Sequence, residues 1–255
     1  MNVLQNLVEL YNHLSFDSTY RNVCKGILEN LKDASEGTIY DIAALTNASR
    51  TTVWRMVQKM GYQNFSDFHY ELKRAVKQYT YYNRLLPLEQ CKSAELIKEA
   101  LLRQTMQAYE ELKDEVDADE VEQIAEELFY ADKTAFYTPY KCSAVLSLQQ
   151  NMAMNGRETA YCCLFPDMLE DSRHLTDKSI VIVNMIEHAE TIDMKPVFET
   201  IKTQKAKIYG ISDKYEKYLD RKLFGSDTKR VVRGVMLFDM YILMLSEVYR
   251  MKYIR

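Results

Sequence analysis

The stretch from Thr38 to Lys73 most constrains the fold, because it reads as two short amphipathic helices joined by a tight turn. Thr38 can cap a first helix whose inner face includes Ile39 and Ile42, at the spacing of an amphipathic segment. Asn47 follows, and asparagine tolerates the left-handed backbone conformation that a sharp turn needs. The pattern predicts a helix-turn-helix.

The second helix of this motif is expected to start after Ser49, a good N-cap, and to end at Gly61. Its apolar residues recur at i, i+3, i+4 and i+7 and must face inward; they are Val53, Met56, Val57 and Met60. The residues left on the outer face, with the capping serine, are the candidate DNA-binding residues: Ser49, Arg50, Thr51, Thr52, Trp54, Arg55 and Lys59.

These residue types suit nucleic acid. Arginine can bond a guanine edge bidentately, serine and threonine hydroxyls can reach bases or phosphates, and a helix N-terminus attracts phosphate oxygens. We place Trp54 at the rim of this face, although a lone tryptophan is more often packed. Two amphipathic helices with polar outer faces also occur in other α-helical proteins, so periodicity alone leaves a purely structural role open.

Several residues at fixed spacings narrow the interpretation: Ile42-Ala43, Ala48-Ser49, Thr52-Val53, Arg55, Gly61-Tyr62 and Phe65-Ser66-Asp67-Phe68. This run resembles the N-terminal domain of the RpiR (MurR/RpiR) bacterial transcription regulators. Asn64 stands where that family often has a second glycine, and asparagine is the mildest replacement if a positive φ angle is required. The resemblance implies binding to double-stranded DNA. We expect a homodimer or higher oligomer on an inverted-repeat operator.

Length, charge and cysteine usage fit a regulator. The chain has 255 residues with 47% hydrophobic content, which allows two domains. Its net charge of −4 argues against indiscriminate nucleic-acid binding. We find no apolar run of about 18 residues and no basic signal sequence, so we expect a cytoplasmic protein without membrane contact. Five cysteines without a CxxC pair read as reduced thiols, and we expect no metal or cofactor.

The chain divides near Pro87, which marks a break before a helical pattern from Ser93 to Leu112. We predict a DNA-binding domain over residues 1–78, a linker and connector helix over 79–117, and a third region over 118–255. In that third region the runs TAFYT, ETAYCC, SIVIVNMI, KIYGIS and KLFG read as strands between helical segments. Such alternation predicts an α/β domain with a parallel sheet covered on both sides.

Element order in this C-terminal region resembles the sugar isomerase (SIS) domain of RpiR-type regulators. The resemblance implies ligand contacts in a loop after the first strand, here Thr138 to Ser143, and in a second loop, here Asn184 to Ala189. Both glycines of the family's first loop are missing here, no hydroxyl survives in the second loop, and Glu187 would repel a phosphate. The candidate effector-binding residues are Lys141, Cys142, Ser143, Asn184, Glu187 and His188.

Three interpretations of this domain stay open. It binds a different effector in a rebuilt polar pocket, it only dimerises, or the alignment slips by two residues, so that Glu190 and Thr191 match the family's final threonine pair. The competing function is a phosphosugar isomerase, which needs an acid/base group beside the bound sugar. We expect instead a non-enzymatic transcription regulator, acting on sugar or amino-sugar genes and able to sense a sugar phosphate. The sequence does not separate an activator from a repressor.

Overall fold

The computed structural model describes residues 3–82, 86, 91–185, 192–225 and 231–254. These residues form two compact units. The first contains the described residues of Met1–Asn83, Cys163–Met168 and Ala189–Met194, and the second contains the rest.

Six helices cover the described part of the chain up to residue 82. They are α1 (Val3–His13), α2 (Thr19–Glu29), α3 (Leu31–Glu36), α4 (Ile39–Leu45), α5 (Arg50–Lys59) and α6 (Phe65–Tyr82). The inward faces expected from periodicity are confirmed, since Ile42 and all four apolar residues assigned to the core side of α5 are fully buried. The three helices before Thr38 were not predicted, and the exit after Gly61 is an 18-residue helix, α6.

The second unit is built on a parallel sheet. Its strands are β1 (Lys133–Tyr137), β2 (Glu158–Cys162), β3 (Ile180–Met185), β4 (Lys207–Ser212) and β5 (Arg221–Lys222), in the order β2-β1-β3-β4-β5. The helices in this part of the chain are α7 (Ala94–Glu115), α8 (Ala118–Tyr130), α9 (Ser143–Met154), α10 (Phe165–Ser172), α11 (Lys195–Thr203) and α12 (Val231–Tyr253). The predicted fold class, a helical N-terminal region followed by a parallel α/β domain, is confirmed.

Side chains alternate across the sheet, so that its two faces pack against different helices. Phe136 and Ile182 share one core cluster with buried residues of α8, α9 and α12. Tyr137 points to the opposite face, where its hydroxyl donates to Asp171 of α10 over 2.7 Å. Gly210 pairs with Val183 and has a φ of +153°; a Cβ there would lie 2.0 Å from the Val183 carbonyl oxygen.

Two sequence-based expectations need correction, and one helix was missed. The strand expected at ETAYCC is β2, which ends one residue earlier, at Cys162; it lies at an edge of the sheet and is half-buried, whereas Cys163, just after it, is buried. The short strand expected at KLFG is β5, which starts earlier, at Arg221. Helix α10 was not predicted. Among the described residues, no helix is both long enough and apolar enough to cross a lipid bilayer.

Candidate nucleic-acid interface

The turn between α4 and α5 is fixed by local hydrogen bonds. Thr38 and Asp41 form a capping box, in which the Thr38 amide donates to the Asp41 carboxylate over 2.7 Å. Asn47 adopts a φ of 49°, the left-handed conformation expected from the sequence. Ser49 then caps α5 by accepting a hydrogen bond from the Thr52 amide over 3.1 Å. The motif therefore has the geometry of a helix-turn-helix.

The outer face of α5 carries most of the predicted DNA-binding residues. Five of them are exposed: Ser49, Arg50, Thr51, Arg55 and Lys59. Thr52 is half-buried, and its hydroxyl lies 2.9 Å from that of Ser49. Trp54 is also half-buried and packs against the core of the first unit, so it offers only part of its ring to the surface.

All charged side chains of α5 are basic. Its sequence, RTTVWRMVQK, contains three basic residues and no acidic one. Helix α4 differs, because hydrogen bonds from the Thr38 side chain and backbone lower the pKa of Asp41 and keep its carboxylate ionised at neutral pH. A phosphate is therefore disfavoured at the start of α4 and favoured at the start of α5.

Two residues of this surface were missed by the sequence analysis. Gln58 is exposed on α5, and its amide can bond an adenine edge. Tyr40 is 62% exposed on α4, and its hydroxyl accepts a hydrogen bond from Arg50 over 2.7 Å. The Arg50 guanidinium carbon also lies 4.5 Å from the centre of the Tyr40 ring. The sequence gives no periodic signal for this contact, which crosses the turn.

Further cationic side chains of the first unit lie close to aromatic rings. The Lys59 ammonium lies 5.4 Å from the centre of the Tyr20 ring. The Arg21 guanidinium lies 4.2 Å from the ring of Tyr11 and 4.3 Å from the ring of Phe16, which is 85% exposed. These contacts hold positive charge at the surface of α2 and at the end of α5.

The candidate effector loop after β1 is closed by hydrogen bonds to the Tyr161 side chain of β2. Lys141 and Ser143 are exposed, whereas Cys142 is buried. The Cys142 amide, at the start of α9, donates to the Tyr161 hydroxyl, which donates over 3.0 Å to the Tyr140 carbonyl. A phosphate-binding loop would offer such an amide to its ligand. Here a tyrosine hydroxyl accepts it.

Two further contacts reduce the polar groups available in this loop. The buried Asn184 side chain donates to the Tyr140 hydroxyl. Burial, together with a hydrogen bond to Asp239, raises the pKa of the Cys142 thiol to about 12, which keeps it protonated. Glu187 and His188 lie outside the described residues, as do Glu190 and Thr191 of the shifted alignment.

A groove of about 570 Å³ lies at the amino ends of the strands β3 and β4. Its polar lining includes Gln123, Glu126, Asp177, Lys178 and Lys207. Ligands of parallel sheets bind at the carboxyl ends of the strands. The candidate effector loops lie at those ends, whereas this groove lies at the amino ends. Within the described ranges, no group of three or more histidine, cysteine, aspartate or glutamate side chains could hold a metal ion.

Comparison with known proteins identifies the N-terminal region. Residues 1–79 match the family model described as a helix-turn-helix domain of the rpiR family, which confirms the resemblance inferred from the sequence. No curated protein matches the chain.

Solved structures similar to this chain include three bacterial proteins. The NanR protein of Vibrio vulnificus, solved with ManNAc-6P, is 16% identical over 99% of this chain and 92% of its own, with a TM-score of 0.46. The sugar isomerase domain of an RpiR transcription factor from Sphaerobacter thermophilus is 12% identical over 60% of this chain and 90% of its own, with a TM-score of 0.44. A putative sugar-phosphate isomerase from Listeria monocytogenes is 11% identical over 63% of this chain and 98% of its own, with a TM-score of 0.40.

Proposed function

We propose that this chain is a sequence-specific DNA-binding transcription regulator that reads DNA with α5. The observation that carries the proposal is the outer face of that helix: exposed basic and hydroxyl side chains, without an acidic residue, on a helix held by a fixed turn. This face suits the major groove, whose base edges accept hydrogen bonds from arginine and whose phosphates attract a helix N-terminus.

The residues of this face have different roles in the proposal. Arg50 and Thr51 lie in the first turn of α5, from which a recognition helix contacts base edges. Ser49 and Thr52 shape that turn through their hydroxyls. Arg55 and Lys59 lie further along the helix and supply charge for phosphates flanking the contacted bases.

We propose that the functional unit is a homodimer on an inverted-repeat operator. Each chain offers one reading helix, and a single module of this size binds weakly, whereas joining two multiplies their affinity. Two-fold symmetry would place the helices on half-sites about one DNA turn apart, or a multiple of it. In this scheme residues 1–78 bind DNA, 79–117 connect, and 118–255 assemble the dimer.

For the C-terminal unit we propose assembly as the main role and effector binding as a second one. The closed loop after β1 supports this order, because the Cys142 amide and the Asn184 amide already bond tyrosine hydroxyls. A sugar-phosphate effector would have to replace these bonds or use the exposed Lys141 and Ser143. Such a ligand would regulate by binding more tightly to one arrangement of the dimer than to another.

The deciding experiment is selection of genomic fragments on the full-length protein at about 150 mM salt, a concentration at which nonspecific phosphate binding is weak. The proposal expects recovery of one inverted repeat, bound at least about a thousandfold more tightly than unrelated duplex. Weak binding without sequence preference would overturn it. The same preparation, incubated with sugar phosphates, should show no isomerisation and should reveal any effector by a rise in melting temperature.

A further inference from the structure

The contact between Tyr40 and Arg50 ties the two helices of the motif together at the surface. The Arg50 side chain donates to the Tyr40 hydroxyl over 2.7 Å, and its guanidinium carbon lies 4.5 Å from the ring centre. Tyr40 is on α4 and Arg50 opens α5, so the contact spans the turn. Both side chains are exposed, which leaves the pair accessible to a macromolecule.

The contact with Tyr40 holds the Arg50 side chain without neutralising its positive charge. No carboxylate among the described residues forms an ion pair with it, although Asp41 is next to Tyr40 in the chain. That carboxylate instead accepts hydrogen bonds from the amide and hydroxyl of Thr38. A guanidinium has five N–H donors in a rigid plane, and a hydrogen bond to one hydroxyl leaves the others available.

Fixing this plane before binding matters because a free arginine loses much side-chain freedom when it docks. A guanidinium that lies over a ring and is bonded to its hydroxyl has already lost most of that freedom. Its remaining edge presents parallel N–H donors, which match two adjacent acceptor atoms. DNA offers such pairs on guanine, as N7 and O6, and on phosphate.

We propose that Tyr40 is a positioning residue for DNA recognition, which orients Arg50 for a bidentate contact with a pair of acceptor atoms on the operator. The inference rests on the proposed function and adds a residue of α4 to the reading surface. It assigns Tyr40 no contact of its own with DNA. Its effect on affinity passes through Arg50.

A double-mutant cycle on the selected operator tests this. The proteins are the wild type, Tyr40→Ala, Arg50→Ala and the double variant, with Tyr40→Phe to remove the hydroxyl and keep the ring. Tyr130→Phe is the matched control, since Tyr130 is 68% exposed on α8 in the other unit. Melting temperatures establish that each variant is folded, and affinities are measured on operator and scrambled duplex.

We expect Tyr40→Ala to weaken operator binding about three- to tenfold, the cost of ordering one flexible side chain. The same substitution in the Arg50→Ala background should change affinity by less than about twofold, because coupled residues are not additive. Tyr40→Phe should fall between wild type and Tyr40→Ala, and Tyr130→Phe should match the wild type. Binding to scrambled duplex should change little if the acceptor pair is a guanine edge, and should weaken as operator binding does if it is a phosphate.

Modified operators identify the acceptor pair. If 7-deazaguanine at one position abolishes the Tyr40–Arg50 coupling, the pair is a guanine edge; if a methylphosphonate does so, it is a phosphate. Either result supports positioning. Unchanged binding by Tyr40→Ala, or an equal loss in the presence and absence of Arg50, overturns this inference alone. Failure of the wild type to prefer any sequence overturns the proposed function and this inference together.

Discussion

The side-chain amide of Asn6 donates a hydrogen bond to the backbone carbonyl of Met60 over 2.9 Å, and both residues are fully buried. Met60 is the C-cap of α5, so helix α1 satisfies one of the carbonyls that a helix end leaves without an internal partner. A helix outside the helix-turn-helix therefore fixes the end of the reading helix.

Replacing Asn6 with alanine should lower the free energy of unfolding by about 1 to 3 kcal/mol, because the Met60 carbonyl would be left buried and unpaired. Denaturant titrations monitored by circular dichroism measure this free energy of unfolding. Asn30→Ala is the matched control: the Asn30 amide makes a bond of the same length to the Gly26 carbonyl, but in a part-buried position, and should cost less. Equal losses in the two variants would show that burial does not set the cost.

Arg50→Ala and Arg55→Ala should each weaken operator binding. Loss of a base contact costs about 1 to 3 kcal/mol and relaxes selectivity at one position, whereas loss of a phosphate contact mainly reduces the dependence on salt. Anisotropy titrations at several salt concentrations separate the two. Arg173→Ala, which removes an exposed arginine paired with Glu170 on α10, should bind as the wild type does. Wild-type affinity in both α5 variants would disprove the assigned face.

The cap of α5 allows a paired test of stability and binding. Ser49 accepts from the Thr52 amide, and Ser93 accepts in the same way from the Leu96 amide at the start of α7. Each serine-to-alanine change should cost about 1 kcal/mol of stability. Only Ser49→Ala should also weaken DNA binding, because its hydroxyl lies beside the proposed base contacts. A binding defect of equal size in Ser93→Ala would mean that the loss reflects stability alone.

The helix-turn-helix was predictable because short-range chemistry determines it. Asn47 takes the left-handed conformation, Ser49 caps, and the apolar residues of α5 repeat at helical spacing; each effect involves neighbours within a few residues. The Asn6 to Met60 bond joins positions 54 residues apart, and such a contact leaves no local pattern. Asn64 differs, because its contact is local: it caps α6 by accepting from the Asp67 amide over 2.8 Å, and it does not take the positive φ considered from the family resemblance.

The sheet was predictable as a set of strands but not in its arrangement. A short run such as ETAYCC fits both a central and an edge strand, because strand order depends on which segments meet in space. The loop after β1 could be identified as lacking the family's glycines. The hydrogen bond from the Cys142 amide to the Tyr161 hydroxyl could not be inferred, since the two residues are 19 positions apart in the chain.

Gly210→Ala should unfold the second unit or destabilise it by more than about 4 kcal/mol, which is exceptional for one substitution. The added Cβ would lie 2.0 Å from the Val183 carbonyl oxygen, a clash with backbone in the centre of the sheet. Gly156→Ala is the control. It also has a positive φ, but no atom lies within 4 Å of its Cβ position, so only backbone strain of about 1 to 2 kcal/mol remains. Thermal unfolding distinguishes the two, and similar midpoints would refute the steric argument.

Glu127 should make stability depend on pH in the acid range. Its carboxylate accepts from the Tyr209 hydroxyl and pairs with Lys207 and Arg221, each at 3.2 Å. Burial acts to raise the pKa of Glu127, but these hydrogen bonds and charges outweigh it and lower the pKa below 4.5. A depressed folded-state pKa gives stability that is complete above the unfolded value and is lost as pH falls through the folded value.

Glu127→Gln should therefore be less stable than the wild type at pH 7, and the difference should persist down to about pH 5 and shrink below 4.5. Denaturant midpoints measured from pH 7 to about pH 3 follow this, with Glu126→Gln, a change at an exposed neighbour on α8, as the control. A difference between wild type and Glu127→Gln that stays constant across this range would mean that shape and packing, rather than charge, hold Tyr209 and Arg221 against α8.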